Sequence, residues 1–62
     1  MNGADLRKLR ESAGITQVEL AAFLGYTQQN ISAIELRSNV GELLSRRVRR
    51  AIGEMSRRKP AA

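Results

Sequence analysis

The chain is expected to fold as an all-α domain, a compact bundle of four or five short helices. Three observations lead there. Thr16 is followed three residues later by Glu19, and that T-x-x-E spacing lets each side chain satisfy a free backbone N–H at a helix start. Gly25 then falls where a helix C-terminus wants a residue tolerant of positive φ, and Thr27 can cap a further helix at once. Finally, Leu44, Val48, Ala51, Ile52 and Met55 recur at the 3.6-residue helical period.

The elements follow in order. Asn2 can cap a first helix, with Asp5 near its positive end. Leu6, Leu9 and Ala13 form its expected inner stripe, Arg7 and Glu11 point out, and Gly14 ends it. The second helix opens at Thr16, turns Leu20, Ala21 and Leu24 inward, and stops at Gly25. The third opens at Thr27, with Ile31 and Ile34 on its inner face. Leu36 to Asn39 shows no helical periodicity and reads as a loop. A fourth helix runs from about Gly41 toward Ser56, although Gly53 is a point where it could end early. The expected core is Leu6, Leu9, Ile15, Leu20, Leu24, Ile31, Ile34, Leu44, Val48 and Ile52. Residues 1–56 form the domain, and 57–62, with Arg57, Arg58, Lys59 and Pro60, read as a basic flexible tail.

Composition narrows the function. At 62 residues the chain makes one small domain that buries little surface. It has no cysteine and no histidine, so neither a disulfide nor a zinc site is expected, and no other cofactor is called for. The run Leu20 to Leu24 is too short for a membrane span, and a cytoplasmic location is expected. Without His, Cys or a carboxylate pair beside a nucleophile, an enzyme is not expected. Net charge is +5 and uneven. Residues 1–36 carry three Arg or Lys against four Asp or Glu, and residues 37–62 carry eight against two. Such asymmetry suits a polyanion partner, though a solvated helix face explains charge alone equally well.

Helix, sharp turn and polar-fronted helix over residues 16–35 make the plan of a helix-turn-helix DNA reader. L-R-x-x-R at 6–10, G-I-T-Q-x-E-L-A at 14–21, L-G-x-T at 24–27 and I-x-x-I-E at 31–35 resemble the lambda repressor/Cro family of helix-turn-helix regulators. The opening T-Q-Q at 27–29 is most similar to lambdoid phage repressors and Cro proteins. The resemblance covers residues 6–36 well and 40–53 loosely. Relatives usually carry a further helix beyond the position of Gly53, where only nine residues remain here.

With Ile31 and Ile34 inward, the third helix turns Gln29, Ser32 and Ala33 outward, with Gln28 at the forward edge. A glutamine amide can bond an adenine edge at two points in the major groove, and a small methyl such as that of Ala33 can meet a thymine methyl. An ordinary polar surface fits these residues as well. The resemblance favours base reading by Gln28, Gln29, Ser32 and Ala33. It also implies a phosphate contact for Gln17, in the first turn of the second helix. Arg37, Ser38 and Asn39 in the following loop are phosphate candidates, with Asn30 and Arg46 behind them. Arg10 and Glu35 lie at the edges of their apolar stripes, and each would be costly to bury alone. The resemblance implies that they pair across the core as a structural ion pair. Two independent surface charges, with Arg10 free for phosphate, is the alternative.

The expected partner is therefore double-stranded DNA, bound by a homodimer on a pseudo-palindromic operator, with no membrane and no small-molecule ligand. The resemblance implies a Cro-like phage or prophage repressor. An antitoxin, using exposed Val18, Ala22 and Leu43 as a partner surface, and a restriction–modification controller protein are the alternatives.

Overall fold

A computed structural model describes residues 1–58 and contains four helices: α1 (Gly3–Ser12), α2 (Gln17–Leu24), α3 (Gln28–Glu35) and α4 (Glu42–Arg58). The fold is all-α, and α1 and α2 each pack against both α3 and α4. Leu6, Ile15, Leu20, Ala21, Ile31, Ile34, Val40, Val48, Ala51 and Ile52 form the buried core.

Local chemistry sets each boundary. The Asn2 side chain accepts from the Asp5 N–H at 2.8 Å and caps α1. At α2 the capping box closes both ways: the Glu19 N–H donates to Thr16 Oγ1 at 3.1 Å, and the Thr16 N–H donates to Glu19 Oε1 at 2.9 Å. Gly25 ends α2 at φ 74°, in the left-handed region. This lets the Tyr26 N–H reach the Ala21 carbonyl at 2.8 Å while the Gly25 N–H bonds Ala22, the double closure of a Schellman motif. Chain reversal is then immediate, because Thr27 already caps α3.

Four features depart from expectation. Leu9 is 39% exposed and lies outside the core. The inner line of α1 runs through Gly3, Leu6 and Arg10, so the buried face keeps Leu6 but is rotated by roughly 60° from the expected one. Arg10 takes an inward position that an apolar side chain would otherwise fill. Val40, absent from the expected core, is buried at 2%, and its N–H donates to the Met1 carbonyl at 3.0 Å. Ser45 is also buried, its hydroxyl donating to the Val40 carbonyl at 3.2 Å. Lastly, α4 passes through Gly53 and Ser56 to Arg58, so Arg57 and Arg58 belong to its last turn. Lys59 and the rest of the expected tail lie outside the described residues.

Gly3 explains how the first helix is docked. Its N–H donates to the Arg37 carbonyl at 2.8 Å, and a Cβ there would run into the backbone carbonyls of Ile34 and Glu35. Only a residue without a side chain lets the start of α1 lie this close to the end of α3. Gly53 is the opposite case, exposed and with nothing within 4 Å of an added Cβ.

The same substitution should therefore act with opposite signs. Gly3→Ala should destabilise by about 1–3 kcal/mol through overpacking. Gly53→Ala should stabilise by about 0.5–1 kcal/mol, the helix-interior cost of glycine. Urea denaturation of both variants measures this, and equal midpoint shifts would refute the close approach at Gly3.

Candidate nucleic-acid interface

The position of α3 is governed by one buried carboxylate. Glu35, 8% exposed, accepts from Arg10 Nε at 2.6 Å on one oxygen and from Arg10 Nη2 at 3.1 Å on the other. That second oxygen also accepts from Gln17 Nε2 at 3.0 Å. Arg10 Nη1 donates to the Ile15 carbonyl at 2.8 Å, in the turn between α1 and α2. One cluster thus ties α1, the following turn, α2 and α3 together. Hydrogen bonding to Glu35 raises the Arg10 pKa above its ordinary value, outweighing the opposing effect of burial, and the charge of Glu35 adds to it. Arg10 stays charged across any working pH.

With Ile31, Ile34 and Glu35 turned in, the outer face of α3 is left to solvent. Gln28, Gln29 and Ala33 are exposed, and Ser32 is half-buried. Leu36, the C-cap of α3, is 82% exposed. Continuing the helical turn from Gln29, Ser32 and Ala33, it falls on the same face. Sequence reasoning missed it by assigning it to the loop. Its i+3 spacing from Ala33 and i+7 spacing from Gln29 was the signal available.

Two hollows flank this face. One is lined by Gln17 and Gln28 with Arg7, Gly14 and Val18, where the end of α1 meets the starts of α2 and α3. The Gln17 amide nitrogen donates one N–H to Glu35, and an amide nitrogen carries a second N–H for another acceptor. The other hollow is lined by Tyr26, Asn30, Ala33, Arg37 and Leu44. The structure therefore brings Gln17 beside Gln28 on one flank, and Arg37 beside Ala33 and Asn30 on the other.

The remaining candidates are placed differently. The Asn30 side-chain oxygen accepts from the Thr27 N–H at 3.3 Å and the Thr27 hydroxyl at 2.8 Å, completing a capping box, so Asn30 shapes the start of α3. Ser38 is exposed in the loop. Asn39 lines a separate hollow with Met1, Val40 and Arg49. Arg46 pairs with Glu42 at 3.2 Å and faces a groove between α2 and α4 lined by no residue of α3. Arg47 lies nearer, donating to the Tyr26 hydroxyl at 3.3 Å.

Among the described residues no helix is long and apolar enough to cross a membrane. A family model described as helix-turn-helix matches residues 6–40, more than half of the chain. No curated protein and no solved structure matches it.

Arg10→Ala would leave Glu35 buried with only Gln17 as a partner. It should cost about 3–5 kcal/mol, the range for breaking a buried pair from one side. Replacing both members by apolar residues, Arg10→Met with Glu35→Leu, should cost less than the single change. Thermal and urea unfolding of the three proteins tests the ordering, and a double variant weaker than Arg10→Ala would contradict it.

Proposed function

The chain belongs to the lambda repressor/Cro-like helix-turn-helix family of DNA-binding transcription regulators, and from that premise we propose that it is a Cro-like repressor of phage or prophage origin. It occupies a pseudo-palindromic operator as a homodimer and blocks polymerase. The observation that carries this reading is the outer face of α3, open to solvent, with a donor-bearing hollow on each side.

In the proposed complex α3 lies in the major groove. Gln28 and Gln29 read base edges, with adenine the natural partner of a bidentate glutamine amide. Ser32 donates or accepts at the next step. Ala33 and Leu36 offer apolar surface to thymine methyl groups. Gln17 and Arg37 bond phosphates on opposite sides of the groove, and Ser38 and the amide nitrogen of Asn30 add to the Arg37 side. Arg46 is the weakest member of the proposed set, because it stands across the α2–α4 groove.

A length argument supports the dimer. Eight helical residues span roughly 12 Å, or about four base pairs at ~3.4 Å each. So short a site recurs too often to single out an operator, and a second half-site about one helical turn away supplies the missing specificity.

Selection of bound sequences from random duplex DNA tests the reading. One enriched pseudo-palindrome is expected, and enrichment of no sequence would overturn sequence-specific recognition. On the enriched site, Gln28→Ala and Gln29→Ala should each lose about 1–3 kcal/mol of specific affinity while non-specific binding barely changes. Wild-type affinity in both would mean that α3 is not the base reader. Arg37→Ala should lower the slope of log affinity against log salt by about one, with the same preferred sequence. An unchanged slope would remove Arg37 from the interface.

A further inference from the structure

The groove between α2 and α4 has a composition unlike that of the DNA-facing side. Its apolar surface comes from Phe23 and Leu24 of α2 and from Leu43 and Ala51 of α4, and it encloses about 360 Å³. Phe23 is 38% exposed and Leu43 is 81% exposed. Leu43 stands off the core stripe of α4, so the folded domain makes no use of it. Around this surface stand Arg46, Arg47 and Arg50, and Arg58 lies over the Phe23 ring at 5.6 Å from its centroid.

The basic rim is only half neutralised from within. Arg46 meets Glu42 at 3.2 Å as an exposed i,i+4 pair, and Arg50 meets Glu54, half-buried at the groove's edge, at 3.7 Å, also at i,i+4. Such pairs contribute little and exchange readily for other carboxylates. Four guanidiniums thus surround the apolar surface against two loosely held carboxylates.

We propose that this groove binds an acidic amphipathic helix of a partner protein. Leucine-type anchors at i, i+3, i+4 and i+7 would enter between Phe23 and Leu43, and glutamates beside them would meet Arg46, Arg50 and Arg58. A second copy of this chain suits the groove poorly, because a two-fold contact would set the same guanidinium rim against itself. A duplex suits it poorly as well, since the exposed Leu43 and Phe23 in its lining offer a phosphate nothing. No residue of α3 lines the groove, so occupancy there is separate from base reading and does not rest on it.

The test uses the full chain and a synthetic helical peptide with that leucine pattern and glutamates at the flanking positions. Amide NMR titration should move signals of Phe23, Leu43, Arg46, Arg50 and Ala51 and leave Gln28, Gln29 and Ala33 in place. Leu43→Glu and Arg50→Glu change exposed side chains and should preserve the fold, yet each should weaken peptide binding about tenfold, a typical loss for an anchor position. A peptide with lysine for glutamate should not bind. Equal binding by a scrambled peptide of the same composition, or signal changes centred on α3, would overturn the proposal. Sedimentation of wild type and Leu43→Glu should give the same oligomeric state. Loss of a dimer in the variant would assign the groove to a second copy instead.

Discussion

The side-chain hydrogen bonds that tie α3 to α1 and α2 converge on the Glu35 carboxylate. It accepts three hydrogen bonds, two from Arg10 of α1 and one from Gln17 of α2. The pair is not needed for net stability, since taking two charges out of water costs about as much as their attraction returns. What it supplies is direction. Apolar contacts from Ile31 and Ile34 tolerate a few degrees of roll, whereas a two-point guanidinium–carboxylate bond does not. Because Arg10 also holds the Ile15 carbonyl, a shift of α3 would disturb the turn that launches α2. Gln17 carries the same constraint outward. Its amide is oriented by the carboxylate that orients α3, so the phosphate donor and the base-reading face of the proposed interface share one reference point.

The rest of the frame keeps that point rigid in a very small domain. Capping boxes at both Thr16 and Thr27 define the starts of α2 and α3, and the Schellman closure at Gly25 sets the angle between them. The far end of α3 is held by the chain's own beginning: Gly3 bonds the Arg37 carbonyl, and Val40 bonds Met1. The backbone carrying Arg37 is therefore fixed while its side chain stays exposed. Domains of this kind have only about 5–15 kcal/mol of stability in total. Several caps of about 1 kcal/mol each are then a substantial share.

What the sequence made legible was mostly local. Helix starts at Thr16 and Thr27, the stop at Gly25 and the stripe of α4 all depend on residues within one or two turns of each other. The pairing of Arg10 with Glu35 spans 25 positions, and only the family resemblance suggested it, with two surface charges as the alternative. Contacts without such a precedent were missed. Gly3 matters because of a backbone 31 residues away, and nothing in its neighbours reveals that. Val40 was left out of the expected core because its place is set by a distant contact, the bond from its N–H to the Met1 carbonyl. Leu9 was misplaced because hydrophobicity ranks leucine above arginine for an inner position. That ranking fails where the arginine has a buried partner. Gly53 failed to stop α4 because a helix anchored by Val48, Ile52 and Met55 absorbs the roughly 1 kcal/mol that an exposed glycine costs.

The basic half of the chain shows why net charge is a weak guide to where a polyanion sits. Of its arginines, Arg37 lines a hollow with the outer face of α3, and Arg47 approaches that side through Tyr26. Arg46, Arg50 and Arg58 gather around the α2–α4 groove, and Arg49 faces the hollow beside Met1. At an ionic strength where the screening length is about 10 Å, charges on separate faces contribute little to a single docked duplex. They still add to long-range attraction, which speeds encounter without choosing a sequence. In the proposed complex the specific and the attractive parts of DNA binding fall to different residues, with an almost neutral α3 reading and a basic α4 drawing the polyanion in. The same separation would leave α4 available to the proposed acidic helix while α3 occupies DNA.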